Sequence, residues 1–183
     1  MTVNRVRMRR GLLLVFCALA ASAAHAESGT QRAGDFLQFA PPAAGFAAMV
    51  YLRDGTGAEQ FFESLAVELG AVYSMKYAVD KPRPRGTGGR AFPSGHTAAA
   101  FQGASFIDRR YGWRWGAPAY LVGAFVGWSR IESHQHDFPD VLFGGAIGVV
   151  SSYVFTSPYQ GKRVRAAPVS IAGIRGFCVE VRW

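Results

Sequence analysis

Three clusters in the middle of the chain combine residue types that suit phosphate chemistry. Taken singly, each member has an ordinary structural explanation, such as a helix-end lysine, a solvated arginine or a helix cap. Together they supply three permanent cations, a helix N-terminus, a hydroxyl and two histidines with a nearby carboxylate, which predicts a site that binds and transfers phosphate. In chain order the members are Lys76 and Arg83; Ser94, Gly95 and His96; and Arg130, His136 and Asp140.

The cations and the glycine suit the binding of a phosphate group. Lysine and arginine neutralise non-bridging phosphate oxygens, and arginine does so through paired, planar donors. Gly95 follows Ser94, a residue type that often caps a helix. A glycine at a helix start lets backbone N–H groups approach an oxyanion.

The spacing in the third cluster predicts a division of labour between the two histidines. Pro139 disfavours helical geometry at the residue before it, so we expect His136 just outside a helix and Asp140 in its first turn. Asp140 can then accept a proton from one ring nitrogen of His136 and direct the other towards phosphorus. His96 belongs to a different helix start and can act as a general acid on the leaving oxygen.

The three clusters resemble the three signatures of the type 2 phosphatidic acid phosphatase (PAP2) superfamily. The matching patterns are Lys-x6-Arg-Pro, Pro-Ser-Gly-His and Ser-Arg-x5-His-x3-Asp, complete and in order between Lys76 and Asp140. The superfamily includes lipid phosphatases, bacterial class A non-specific acid phosphatases and vanadium-dependent haloperoxidases. The resemblance implies an all-α, PAP2-like helical bundle.

The resemblance also implies a role for each signature residue. His136 would be the nucleophile that forms a phosphohistidine, with Asp140 orienting it. His96 would protonate the leaving alcohol and then activate the water that breaks the intermediate. The resemblance implies no metal ion and no cofactor, and it implies that the phosphoryl oxygens are bound by Lys76, Arg83, Ser94, Gly95 and Arg130.

Several functions fit these residues. The leading interpretation is a phosphatase acting on a phosphomonoester or pyrophosphate, with a lipid phosphate (phosphatidate, a polyprenyl pyrophosphate or lipid A) favoured by the apolar, glycine-rich helices. A soluble, non-specific acid phosphatase is the alternative, and a vanadium-dependent haloperoxidase or a non-catalytic phosphate-binding module are remote ones. Outside the signatures, Arg85 and Arg90 could meet a second anion or be solvated, and we expect His134 to lie off the substrate.

The apolar pattern predicts about five helices and a C-terminal β-hairpin. The second helix has a capping box formed by Thr56 and Glu59, and its predicted apolar face is Phe62, Leu65, Leu69, Val72 and Lys76. Pairs of glycines four residues apart in the last two helices permit close helix contacts. The predicted ranges are 42–52, 56–76, 94–110, 118–131 and 139–155, and the period of two near the C-terminus predicts a packed hairpin of 168–172 with 177–183.

The N-terminus has the features of an export signal. Four arginines precede a short apolar stretch, and Ala24-His25-Ala26 fits a cleavage site, which predicts a signal peptide over residues 1–26. The remaining divisions are a phosphatase domain over 27–161 and a basic linker with the hairpin over 162–183. We therefore expect a periplasmic enzyme, with peripheral membrane contact open and insertion of the helices undecided.

The net charge does not predict a nucleic-acid partner. The formal charge of the whole chain is +8, but the predicted signal peptide carries four of the arginines, so the remainder is only +4. The expected partner is thus a phosphorylated lipid or small molecule, with no nucleic acid. At 50% hydrophobic residues over 183 positions, the chain is long and apolar enough for one folded domain and is not a disordered tail.

Overall fold

A computed structural model describes residues 29–86, 88–160, 163–171 and 174–182. The predicted signal peptide lies outside these described residues. Within these ranges six helices precede two strands: α1 (Gly29–Leu37), α2 (Ala40–Leu52), α3 (Gly55–Val79), α4 (Gly95–Tyr111), α5 (Trp113–Glu132), α6 (Phe138–Phe155), β1 (Arg163–Ile171) and β2 (Ile174–Arg182).

Helix α4 is the centre of the bundle, because it contacts each of the other five helices. Its sequence is rich in small residues, so neighbouring helices can approach its backbone. Ala98, Ala100 and Ala104 are fully buried. Phe106 anchors the apolar core against Phe61 of α3, with ring centroids 5.0 Å apart, and the helical domain is all-α as predicted.

Two glycines of α6 allow it to lie directly on α4. A Cβ atom at Gly144 would collide with the carbonyl of Ser94, and one at Gly148 would collide with the carbonyl of Ala98. Backbone atoms cannot move aside as a flexible side chain can, so only glycine permits this spacing. The predicted close contact between helices is therefore confirmed for this pair.

Helix α3 differs from its prediction in both its start and its buried face. Its N-cap is Asp54, whose carboxylate accepts a hydrogen bond of 2.9 Å from the backbone N–H of Gly57, and not Thr56. Phe62 and Leu69, predicted to be buried, are 53% and 43% exposed. The buried face is instead formed by Gly57, Phe61, Ser64, Glu68 and Val72.

The remaining helices follow the predicted order with shifted ends. Helix α5 begins five residues before the predicted start and continues through Pro118, which removes one backbone donor without ending the helix. Helices α2 and α6 begin within two residues of their predicted starts. No pattern in the sequence predicts α1, which packs mainly on α5.

The C-terminal strands pair with each other but not with the helices. Their antiparallel register places Arg163 opposite Arg182 and Ile171 opposite Ile174, so the pairing starts earlier than predicted and includes part of the expected basic linker. Within the described ranges, neither strand contacts a helix. The predicted packing of a hairpin on the domain is therefore not supported.

One described helix, α6, is long and apolar enough to cross a membrane by length and composition alone. A third of its residues are buried inside the fold.

Candidate active site

The antiparallel course of the helices brings the three sequence clusters to one end of the bundle. The first cluster occupies the end of α3 and the loop that follows it, and the second forms the start of α4. The third spans the end of α5, a short turn and the start of α6. A backbone hydrogen bond of 2.9 Å from Ser94 N to Asp140 O joins the second cluster to the third.

Ser94 caps α4 as predicted. Its side chain accepts a hydrogen bond of 3.4 Å from the backbone N–H of Thr97, and its hydroxyl lies 2.9 Å from the hydroxyl of Thr97. At a helix start the first backbone N–H groups have no carbonyl of a preceding turn to donate to. The amides of Gly95 and His96 are therefore suited to bind an anion.

His136 and Asp140 have the predicted relationship. His136 lies just before α6, and Asp140 is the third residue of that helix, where its Oδ2 accepts a hydrogen bond of 3.1 Å from Asp137 N. The same Oδ2 is 3.5 Å from His136 Nδ1, and both side chains are almost completely buried. Because Nδ1 faces the carboxylate, Nε2 is the ring nitrogen left to act on substrate.

The surroundings of His136 keep its imidazole neutral. Burial, together with the positive charges of Lys76 and Arg83, lowers its pKa to about 4, although Asp140 opposes the shift. A neutral ring retains the lone pair that a nucleophile needs. The charge of His96 also acts on His136, which means that the two predicted catalytic rings lie within electrostatic reach of each other.

His96 has a partner from outside the three clusters. Its Nε2 is 3.0 Å from Oδ1 of Asp35 on α1, and the same oxygen is 2.6 Å from Arg130 Nη1. The guanidinium of Arg130 also donates to Gln31 O at 2.6 Å. Burial and the charge of Arg130 lower the pKa of His96, while Asp35 opposes the shift.

The other two predicted phosphate-binding cations, Lys76 and Arg83, are half-buried beside the histidines. Lys76 Nζ donates to Arg90 O at 2.9 Å, and the guanidinium of Arg83 donates to Gln135 Oε1. Burial and the charge of Arg83 lower the pKa of Lys76. The eight residues singled out in the sequence thus converge on one end of the bundle, and their individual roles stay predictions.

Lys81 and Asp35 form ion pairs with members of this group but are not among the eight. Lys81 lies in the variable part of the first cluster, and its Nζ is 2.7 Å from Asp140 Oδ1. The only feature of the sequence that could have pointed to Lys81 is its positive charge close to the signature positions. Asp35 lies in a segment without a recognisable pattern, and no signal in the sequence connects it to the site.

The sequence leaves open whether three further residues meet substrate or a second anion. In the structure each of them is exposed or has another partner. His134 is exposed, and its Nδ1 is 2.9 Å from Glu132 O. Arg85 reaches Gln31 Oε1 at 3.3 Å. The guanidinium of Arg90 lies over the ring of Tyr77, 4.2 Å from its centroid.

Comparisons with known proteins identify related chains. Residues 85–163 match the model of the PAP2 superfamily. A lipid A 4'-phosphatase of Helicobacter pylori is 30% identical over 154 residues, which cover 78% of this chain and 77% of the relative. A lipid A 1-phosphatase of Porphyromonas gingivalis is 36% identical over 105 residues, covering 51% of this chain and 24% of the relative.

A solved structure shares the fold. The crystal structure of Aquifex aeolicus LpxE superposes with a TM-score of 0.59 at 21% identity, covering 71% of this chain and 87% of that one. The protein is accordingly a phosphatase, a hydrolase of phosphoric esters. The chain belongs to the PAP2 superfamily.

Proposed function

We propose that the protein hydrolyses a lipid phosphate of the lipid A class through a phosphohistidine at His136, without a metal ion. The observation that carries the proposal is the rim of exposed apolar side chains around a cationic, histidine-containing site. Acyl chains of a lipid phosphate could rest on such a rim, whereas a soluble ester has no use for it. The names of the two relatives, both lipid A phosphatases, support the same substrate class.

The rim is formed by the helix ends that carry the site. Phe138 and Leu142 at the start of α6 are 64% and 55% exposed. Tyrosine and tryptophan side chains are amphipathic enough to lie between water and lipid. The other exposed members near this end are Tyr73, Tyr77 and Val79 of α3 and Trp128 of α5.

In the first chemical step, His136 Nε2 attacks phosphorus and the bond from phosphorus to the leaving oxygen breaks. Asp140, 3.5 Å from Nδ1, stabilises the positive charge that develops on the ring. His96 donates a proton to the leaving oxygen, which departs as an alcohol.

In the second step, a water molecule attacks the phosphohistidine. His96, now deprotonated, accepts a proton from that water, and the nitrogen–phosphorus bond breaks to release inorganic phosphate. Lys76, Arg83 and the first amides of α4 neutralise the non-bridging oxygens during both steps. The predicted signal peptide supports a location in the periplasm, with the apolar rim in contact with a membrane surface.

Phosphate release from a substrate panel tests the proposal. The panel consists of lipid A, phosphatidate, a polyprenyl pyrophosphate and p-nitrophenyl phosphate, each in the same detergent and assayed with and without EDTA. We expect the highest kcat/KM for lipid A, no loss with EDTA, and no release by His136→Ala. A higher kcat/KM for p-nitrophenyl phosphate would favour a soluble acid phosphatase instead.

Trapping of the covalent intermediate tests the mechanism separately. Enzyme mixed with 32P-labelled substrate and denatured in alkali should retain label, because a phosphoramidate survives base and hydrolyses in acid. The label should be absent from His136→Ala. Label retained by that variant would remove His136 from the nucleophile's role.

A further inference from the structure

Lys81 contacts the carboxylate that faces the proposed nucleophile. Its Nζ is 2.7 Å from Asp140 Oδ1 and 2.9 Å from Asp137 Oδ2. We infer that Lys81 is a positioning residue: it holds the Asp140 carboxylate in the orientation that presents Oδ2 to His136. The inference rests on the proposed function, because it assigns Lys81 a part in the same reaction.

The burial of Asp140 explains why a cation is needed. This side chain has no exposure to solvent. A buried carboxylate is costly unless it is paired and hydrogen-bonded. The ion pair with Lys81 offsets this cost and keeps the carboxylate beside the ring that becomes positively charged in the phosphohistidine.

The two oxygens of Asp140 have different partners. Oδ1 pairs with Lys81, while Oδ2 accepts from Asp137 N at 3.1 Å and faces His136 Nδ1 at 3.5 Å. Contacts at both oxygens prevent the carboxylate from rotating. Lys81 is itself fixed at its backbone, because its carbonyl accepts a hydrogen bond of 2.8 Å from Ala91 N.

The partners of Lys81 also distinguish it from the proposed phosphate binders. Burial disfavours its charge, but the hydrogen bonds to Asp140 and Asp137 outweigh burial and raise its pKa. Two carboxylates therefore neutralise this ammonium group. Lys76 and Arg83, by contrast, donate to a carbonyl and an amide oxygen, which leaves their charge available to an anion. Loss of Lys81 should thus affect turnover and not substrate binding.

Steady-state kinetics of Lys81→Met and Lys81→Arg test the inference. Loss of a group that orients a metal-ligating histidine lowers activity roughly 10- to 100-fold. By analogy, we expect Lys81→Met to lower kcat roughly 10- to 100-fold with KM nearly unchanged. Lys81→Arg should restore most of the activity, since it keeps the charge. Arg114→Met, which removes an exposed cation at the far end of α5, is the control and should match the wild type. A raised KM with normal kcat, or a fully active Lys81→Met, would overturn the inference.

A double-mutant cycle asks whether Lys81 acts through Asp140. By analogy with other histidine-orienting carboxylates, Asp140→Asn alone should lower kcat by about two to four orders of magnitude. Adding Lys81→Met to that variant should cause little further loss, because residues that act as a unit are not additive. If Lys81→Met lowers kcat by the same factor in both backgrounds, Lys81 acts independently of Asp140 and the inference is wrong.

A titration of His136 separates this inference from the proposed function. The charged groups that act on this ring are Lys76, Arg83, Asp140 and His96. Without Lys81, Oδ2 of Asp140 is no longer held towards Nδ1 and opposes the lowered pKa less, so NMR should report a lower pKa of His136 in Lys81→Met than in the wild type, and a higher value would contradict the inference. The signal is assigned by its absence from His136→Ala. A wild type inactive on every substrate would refute the proposed function, whereas an unchanged His136 pKa would refute the role of Lys81.

Discussion

At the scale of single residues, the site contains two imidazoles in different electrostatic settings. His136 is almost completely buried beside Lys76 and Arg83, and its pKa is lowered to about 4. His96 is more exposed and has Asp35 as a partner, and its pKa lies below the ordinary value of 6.5. Both pKa values are lowered, and the two rings can serve as nucleophile and general acid at a pH where His136 is neutral and His96 still carries its proton.

These pKa values predict a bell-shaped pH dependence with an acidic optimum. Below about pH 4, His136 becomes protonated and loses its nucleophilic lone pair, so kcat/KM should fall. On the basic side, kcat/KM should fall at a pH below 6.5, because His96 loses the proton that it donates. The measurement is kcat/KM for p-nitrophenyl phosphate from about pH 3 to about pH 9. A rate that is flat across pH 4 to 6.5 would contradict both assignments.

At the scale of elements, helix α1 brings the carboxylate of Asp35 into contact with two side chains that the proposed reaction needs. Asp35 Oδ1 contacts both His96 Nε2 and Arg130 Nη1. The contact is held in place because α1 lies close to α5: a Cβ atom at Gly34 would collide with the side chains of Ser129 and Arg130. An incoming phosphate therefore meets a negative charge already bound at the site.

Neutralising this carboxylate should strengthen substrate binding. Asp35→Asn removes the repulsion between two anions, and we expect KM for p-nitrophenyl phosphate and the inhibition constant of vanadate to fall by about tenfold. Glu63→Gln, which removes an exposed carboxylate from α3, is the matched control and should change neither constant. A lower kcat with loss of the basic limb of the pH profile would show instead that Asp35 supports the proton transfer by His96.

The contact between α4 and α6 sets the distance between the second and third clusters. Gly144→Ala would drive α6 away from the Ser94 carbonyl and disturb the hydrogen bond from Ser94 N to Asp140 O. We expect a destabilisation of about 1–3 kcal/mol and a lower kcat/KM. Thermal unfolding and phosphate release measure the two effects.

Gly145→Ala is the control for this prediction. Both substitutions raise helix propensity by about 1 kcal/mol, but a Cβ at Gly145 meets only the ring of Phe101 at an ordinary distance of 3.6 Å. This variant should remain as active as the wild type. Equal behaviour of the two variants would mean that the backbone contact at Gly144 does not determine the site geometry.

At the scale of the whole molecule, a polar seam runs through the middle of the bundle. Gln102 of α4 donates from Nε2 to Ser64 Oγ of α3 at 2.9 Å, and its backbone carbonyl accepts from Ser152 Oγ of α6 at 2.7 Å. Glu68 is buried on the same face of α3 as Ser64, and in the part of the chain that the structure describes its Oε2 has no hydrogen-bond partner. Burial raises the pKa of Glu68 to about 7.

The raised pKa predicts that stability falls as the pH rises. The folded state keeps the proton of Glu68 up to about pH 7, whereas the unfolded chain releases it near the ordinary value of 4.5. The free energy of unfolding therefore decreases between about pH 4.5 and about pH 7, by a total on the order of 3 kcal/mol.

Urea unfolding at about pH 5 and about pH 8 measures this loss. Glu68→Gln cannot ionise, so the free energy of unfolding should change less between the two pH values than it does in the wild type. Glu63→Gln, on the exposed side of the same helix, should retain the wild-type difference. An identical pH dependence in Glu68→Gln would show that this carboxyl is not the group that titrates.

The sequence by itself determined the features that depend on local geometry. Ser94 caps α4, and Asp140 lies in the first turn of α6 beside His136, because caps and prolines act on residues only a few positions away. Each of the three signatures is a short stretch of contiguous sequence. They can therefore be read without knowledge of the fold, and they made the superfamily recognisable. The order of helices α2 to α6 also followed from local pattern.

Only the tertiary structure decided which distant residues join the site and which faces are buried. Asp35 and Arg130 are 95 positions apart, and Lys81 and Asp140 are 59 apart, so neither contact leaves a periodic pattern in the chain. The buried face of α3 carries Ser64 and Glu68, while Phe62 and Leu69 are exposed, contrary to a hydrophobicity pattern. The reason is physical: burial depends on which surfaces the neighbouring helices present, and here α4 offers a polar partner in Gln102.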